Sequence, residues 1–162
     1  MIVWLSFVTI ALGCSRPPSD KEMQKHFIDN KEIFDRLIQM VNEDKTVNSI
    51  TKQFILPADS LKQERKVEYL GLMSKAGIQD IFVNSRSNTS KTAIIKGESG
   101  DVGPVSFGIF NSFEIRKGYT YSTQTLVPIY DSLDKRPASL KAYEFGYKRI
   151  SNDWYLYYSS TG

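Results

Sequence analysis

The sequence predicts an α+β domain in which two N-terminal helices pack on one face of a C-terminal antiparallel β-sheet. Two observations predict it. Apolar residues recur at spacings near 3.6 in the first half, and from Ile78 onward the hydrophobic period changes to two. The strands also follow one another without helices between them, which favours antiparallel pairing because parallel neighbours need long crossover connections.

The first helix is predicted from a capping box, Ser19-Asp20-Lys21-Glu22, in which the Ser19 hydroxyl and the Glu22 carboxylate satisfy each other's backbone amides. Met23, Phe27, Phe34, Leu37 and Val41 give it one apolar face to about residue 43, with Ile33 and Ile38 widening the stripe and Asn30 interrupting it. Residues 42–52 lose the period and read as a loop. Phe54-Ile55-Leu56 is a short apolar piece ended by Pro57, and Ser60 with Gln63 starts a second helix, near 58–76, capped by Gly77. Gly71 weakens that helix by about 1 kcal/mol relative to alanine, which a close packing contact would justify.

Residues 79–84 and 92–96 are expected to pair as a hairpin, followed by strands over 105–111 and 113–122, with Gly118 marking a bulge or bend. At the end of the chain, 140–150 and 154–159 alternate around Ser151-Asn152-Asp153 and predict a terminal hairpin.

The segment Met1 to Ser15, MIVWLSFVTIALGCS, is apolar and uncharged. Its run is about a dozen residues, shorter than the roughly 20 that span a bilayer, and a secretory signal fits it better. Ala11-Leu12-Gly13-Cys14 resembles the lipobox of bacterial lipoproteins, which implies that Cys14 is acylated and heads the mature chain. Ala11 stands where that motif usually has Leu, Val or Ile, and the run lacks Lys and Arg. The alternative is a buried apolar strand or helix with Cys14 in a core. The resulting division is a signal over residues 1–13, a lipidated cysteine and tether over 14–18, and one α+β domain over 19–162.

Composition narrows the function classes. Cys14 is the only cysteine, so no disulfide forms within the chain. A net charge of +3, dispersed along the sequence, gives no case for nucleic-acid binding. His26 is the only histidine and has no partner at metal-ligand or triad spacing, so neither a metal nor a cofactor is predicted. Glu98, Asp101, Glu114, Asp131, Asp134, Glu144 and Asp153 leave open a carboxylate-dependent hydrolase, although solvation accounts for most of them.

The distinctive composition is aromatic. Eight of the nine tyrosines lie between Tyr119 and Tyr158. The bland reading is cross-strand packing; the functional one is an exposed patch over Tyr119, Tyr121, Tyr143, Tyr155 and Tyr157 that stacks on a sugar or receives a protein. Trp154 is expected to be buried.

Lys117-Gly118-Tyr119-Thr120-Tyr121-Ser122, then Asp131-Ser132-Leu133-Asp134, then Asn152-Asp153-Trp154-Tyr155-Leu156-Tyr157-Tyr158 resemble, in that order, motifs of a family of small uncharacterised Gram-negative lipoproteins. The resemblance implies a lipid anchor, and Ser15 after the cysteine implies the outer membrane, facing the periplasm. The expected function is a non-enzymatic binding or accessory module whose partner is an envelope protein or a glycan. A periplasmic hydrolase is the alternative, as is an inhibitor of an envelope-directed enzyme using 97–104 or 123–138 as its protruding loop.

Overall fold

Ser19 ends an extended entry segment and starts α1 (Asp20–Asp29): its side chain accepts from the Glu22 amide at 3.3 Å, and the Glu22 carboxylate accepts from the Ser19 amide at 2.7 Å. The computed structural model describes residues 16–57, 61–83 and 103–162. The single helix expected over 19–43 is two helices, because Asn30 serves both ends of a break. Its side-chain amide and backbone N–H both donate to the His26 carbonyl, closing α1, while its own carbonyl accepts from Ile33 and Phe34 and opens α2 (Lys31–Glu43). Asparagine competes with the helix backbone in this way wherever its short amide reaches a carbonyl.

The third helix, α3 (Gln63–Lys75), starts after Lys62, later than the Ser60 cap predicts; residues 58–60 lie outside the described residues. Its end follows the prediction. Gly77 takes φ +61°, Ile78 N–H donates to Met73 O and Gly77 N–H to Ser74 O, so the last carbonyls are satisfied and Ile78 is turned into the core.

Among the described residues, seven antiparallel strands follow the order β2-β1-β3-β4-β5-β7-β6. They are β1 (Ser49–Thr51), β2 (Ile55–Leu56), β3 (Asp80–Val83), β4 (Val105–Asn111), β5 (Ile115–Tyr121), β6 (Phe145–Arg149) and β7 (Trp154–Ser160). The α+β class therefore holds, with three corrections of detail. Two short strands, β1 and β2, come before residue 59 and extend one edge of the sheet; β1 falls in the predicted loop over 42–52, and β2 in the short apolar piece over 54–57. β6 begins at Phe145 rather than Leu140, because Leu140 and Glu144 close turns onto Pro137 and Lys141 and Tyr143 adopts φ 64°. The bulge lies in β4, between Gly108 and Phe110, and Gly118 pairs with Gly108 in regular register. Gly118 is needed for a different reason: a Cβ there would stand 2.0 Å from the Phe107 carbonyl oxygen. The 92–96 arm of the expected hairpin lies outside the described residues, and β3 pairs with β1 and β4.

Register divides the sheet into two faces. Ile50, Ile81, Phe107, Tyr119, Trp154 and Leu156 share the face covered by the helices, and all are buried. There Phe34 of α2 meets Tyr119, Phe107 and Trp154 at ring centroid distances of 4.9, 5.5 and 5.5 Å, and Phe27 of α1 meets Trp154 at 5.0 Å. These mostly tilted and edge-on contacts are the favoured geometry for aromatic pairs.

Trp154, buried among Phe27, Phe34, Phe107 and Tyr121 as expected, leaves a large void when truncated. Trp154→Ala should lower the unfolding free energy by about 3–5 kcal/mol, read as a lower urea midpoint at unchanged slope. Gly71 behaves in the opposite sense. Among the described residues, nothing outside the helix's own backbone lies within 4 Å of where a Cβ would stand, so no packing contact there calls for a glycine, and Gly71→Ala should stabilise by about 0.5–1 kcal/mol in the same measurement.

Candidate functional site

Two polar clusters stand out, one on each face of the sheet. On the helix side, Lys117 projects from β5 and is fully buried. Its Nζ donates to the Pro18 carbonyl at 2.7 Å and lies 3.5 Å from Asp20 Oδ1. Asp20 also accepts from Lys148 Nζ at 3.1 Å and from the Leu133 amide at 2.8 Å, while its own amide donates to Asp134 Oδ1 at 2.6 Å. Burial alone would raise the Asp20 carboxyl, but the Leu133 amide and the two ammonium groups outweigh it and hold it below the usual carboxylate range. Burial also lowers the Lys117 ammonium, with Asp20 and Asp134 opposing the shift. Chemically, this cluster is a clamp: its groups are turned on one another and on the backbone, although among the described residues Asp20 Oδ1 has only the ion contact with Lys117 and no hydrogen-bond donor.

Next to it, Tyr119 donates its hydroxyl proton to Met23 O at 2.8 Å, so the 2.9 Å contact with His26 Nδ1 assigns the Nδ1 proton to the histidine. His26 thus holds α1 on the sheet, its ring stacked on Tyr119 at 5.9 Å.

On the face opposite α1 and α2, one transverse row of the register reads Thr51, Asp80, Gly108, Gly118, Tyr157, Tyr147. The two central glycines leave room for their neighbours: the Asp80 carboxylate lies over Gly108 and the Tyr157 ring over Gly118. Asp80 Oδ2 accepts from Asn111 at 2.5 Å and from Arg116 at 3.4 Å, whereas Asp80 Oδ1 is buried with no hydrogen-bond partner among the described residues. Beside it, Thr51, Gln53, Phe54, Gln79, Asp80 and Asn111 line a shallow depression of about 250 Å³. Burial raises the Tyr157 hydroxyl, with Asp80 adding to the effect, and raises Tyr147 to about 12, so both stay protonated near neutrality.

The five tyrosines of the predicted aromatic patch do not share one surface. Tyr119 is buried beneath the helices, and burial raises its hydroxyl. Tyr121 is half-buried on the same side, against Trp154. Tyr155 and Tyr157 face the other way and are also buried, and Tyr143 alone is widely exposed, outside any strand. Alternation places Tyr155 and Tyr157 opposite Trp154 correctly, but it carries no information about which face is covered. Cys14 lies outside the described residues.

No family model matches the chain, and no curated protein or solved structure matches it either. Among the described residues, no group of three or more His, Cys, Asp or Glu is placed to hold a metal, and no helix is long and apolar enough to cross a membrane.

Of the sheet-half carboxylates, Glu98 and Asp101 lie outside the described residues, and Glu114 and Asp153 stand at opposite ends of the sheet. The segment 123–138 is strapped down: Leu126 and Leu133 are buried, Tyr147 N–H donates to Pro128 O, and Tyr130 N–H donates to Tyr147 O. Asp20, Lys117 and Asp80 were the groups that sequence reasoning missed. For Lys117 a signal exists, since its strand register puts a lysine on the same face as Tyr119 and Tyr121.

Removing the Asp20 charge leaves a buried ammonium without its counter-ion, so Asp20→Asn should cost about 3–5 kcal/mol in urea unfolding. The difference between parent and variant should depend on pH. Because the folded carboxyl is held below the unfolded value of about 3.9, its contribution is complete above roughly pH 4 and is lost as pH falls through the lower folded value. Unfolding midpoints collected through the acid range should therefore converge for the two proteins.

Proposed function

We propose that this protein is a lipid-anchored module of the bacterial envelope, tethered through Cys14 to the outer membrane and facing the periplasm, which binds or assists a partner there and performs no catalysis. The observation that carries the reading is the uncharged apolar run ending in Ala11-Leu12-Gly13-Cys14, set directly before a folded domain. The Lys117 bond to the Pro18 carbonyl supports it, because the fold then takes hold of the chain four residues after the cysteine. At about 3.3–3.6 Å per extended residue, the tether spans no more than roughly 14 Å.

Each acyl methylene buried in the bilayer contributes about 0.8 kcal/mol, so the several chains carried by the lipoproteins it resembles would make release negligible. The shallow depression beside Asp80, lined by Thr51, Lys52, Gln53, Gln79 and Asn111, supports a binding role toward an envelope protein or a glycan.

Cys14→Ser should abolish incorporation of labelled palmitate and leave the protein as a soluble or unprocessed form, followed by fractionation of membranes on a density gradient. Undiminished palmitate labelling in that variant rules out the anchor.

A further inference from the structure

The chain enters the fold and exposes its largest rings at the same end of the sheet. Along α1, Asp20 lies by Lys117, Met23 by Tyr119, and Phe27 by Trp154, which pairs with Tyr121. The helix therefore runs in the direction of β5, and residues 16–18 emerge where β5 begins. Antiparallel register brings to that end the β4–β5 turn at 112–114, the residues before β6, and the β1–β2 turn at 52–54.

Each of these three places carries an exposed ring: Phe113 is 93% exposed, Tyr143 74% and Phe54 49%. At the opposite end the β6–β7 turn is Ser151-Asn152-Asp153, which is polar. Tyr143 is held at its position by a φ of 64°, a conformation that non-glycine residues rarely adopt, and its amide is bonded to Ser160 O at 2.7 Å.

We propose that this end of the sheet lies against the bilayer, with Phe54, Phe113 and Tyr143 seated at the level of the lipid headgroups. The inference rests on the tethering through Cys14 and goes beyond it by fixing an orientation. The amphipathic ring of Tyr143 suits the membrane–water interface, the Phe54 and Phe113 rings gain by burying apolar surface beside it, and a short tether holds all three within reach. Charge plays a minor part, since at this end Arg16 is paired with Glu22 and Arg116 with Asp80, and Lys52 and Lys141 stand against Glu114 and Glu144. The docking should therefore persist at high salt.

The test uses the full, acylated protein purified from membranes and reconstituted in vesicles of phosphatidylethanolamine and phosphatidylglycerol. With Cys14 acylated, Glu114→Cys and Asn152→Cys each supply one reactive thiol for an environment-sensitive dye, and both leave the three rings in place. Headgroup spin-labelled lipid should quench the dye at 114 several-fold more than the dye at 152, in low and high salt alike. Adding Phe113→Ser and Tyr143→Ser to the Glu114→Cys protein should reduce that quenching toward the level at 152. Equal quenching at both ends overturns the orientation, as does protection of 114 in native envelopes but not in protein-free vesicles, which would assign the rings to a protein partner. The mass of the N-terminal peptide separates the two levels: a Cys14 without acyl mass removes the tether and the orientation together, whereas an acylated Cys14 with an unquenched dye at 114 removes the orientation alone.

Discussion

The ammonium of Lys117 has no water to turn to, and the arrangement of the N-terminal half follows from that. Burying a charge on an interior strand is tolerated only when counter-charge and hydrogen bonds are brought to it. Here they come from Asp20 and the Pro18 carbonyl, about a hundred residues earlier in the chain. Apolar contacts alone would let α1 slide along the sheet by a turn at modest cost. The Lys117–Asp20 pair admits one position. Asp20 then gathers Lys148 from β6 and the Leu133 amide from the long connection, so one carboxylate fixes a helix, two strands and a loop relative to each other.

Around this polar clamp the apolar layer does the larger share of the stabilising. Phe27 fits against Tyr119 and Trp154, and Phe34 against these two and Phe107, and the break at Asn30 is what lets both helices present a phenylalanine to the same two rings. A continuous helix from 20 to 43 would keep its apolar stripe straight over about 36 Å at 1.5 Å per residue, longer than the roughly 23 Å of a seven-residue strand beneath it. The bend keeps the stripe on the sheet.

The parts of the fold that were legible in the sequence are those whose signals are local. The Ser19–Glu22 capping box, the Gly77 stop, the change of period at Ile78 and the terminal hairpin each depend on a few adjacent residues, and each stands as expected apart from the start of the hairpin's first strand. β1 and β2 were not legible, because runs of three and two residues are too short for an alternation to show. The start of β6 was misread because 140–144 alternates like a strand, while the backbone there is folded into turns. The clusters at Asp20 and Asp80 depend on residues far apart in sequence, and composition does not indicate which carboxylates lose their water. The aromatic tail was legible as a pair of faces. Its burial on both of them was not.

Neither edge of the seven-stranded sheet is left as a long open ladder. One edge is β2, a strand of two residues followed directly by a proline; at the other, residues 128–130 bond to both backbone groups of Tyr147 in β6. Edge strands with free amides and carbonyls recruit strands from neighbouring molecules, and short or covered edges suppress this. Copies crowded together therefore have little backbone with which to zip into a continuous sheet, and the domain is protected against polymerising at high local concentration.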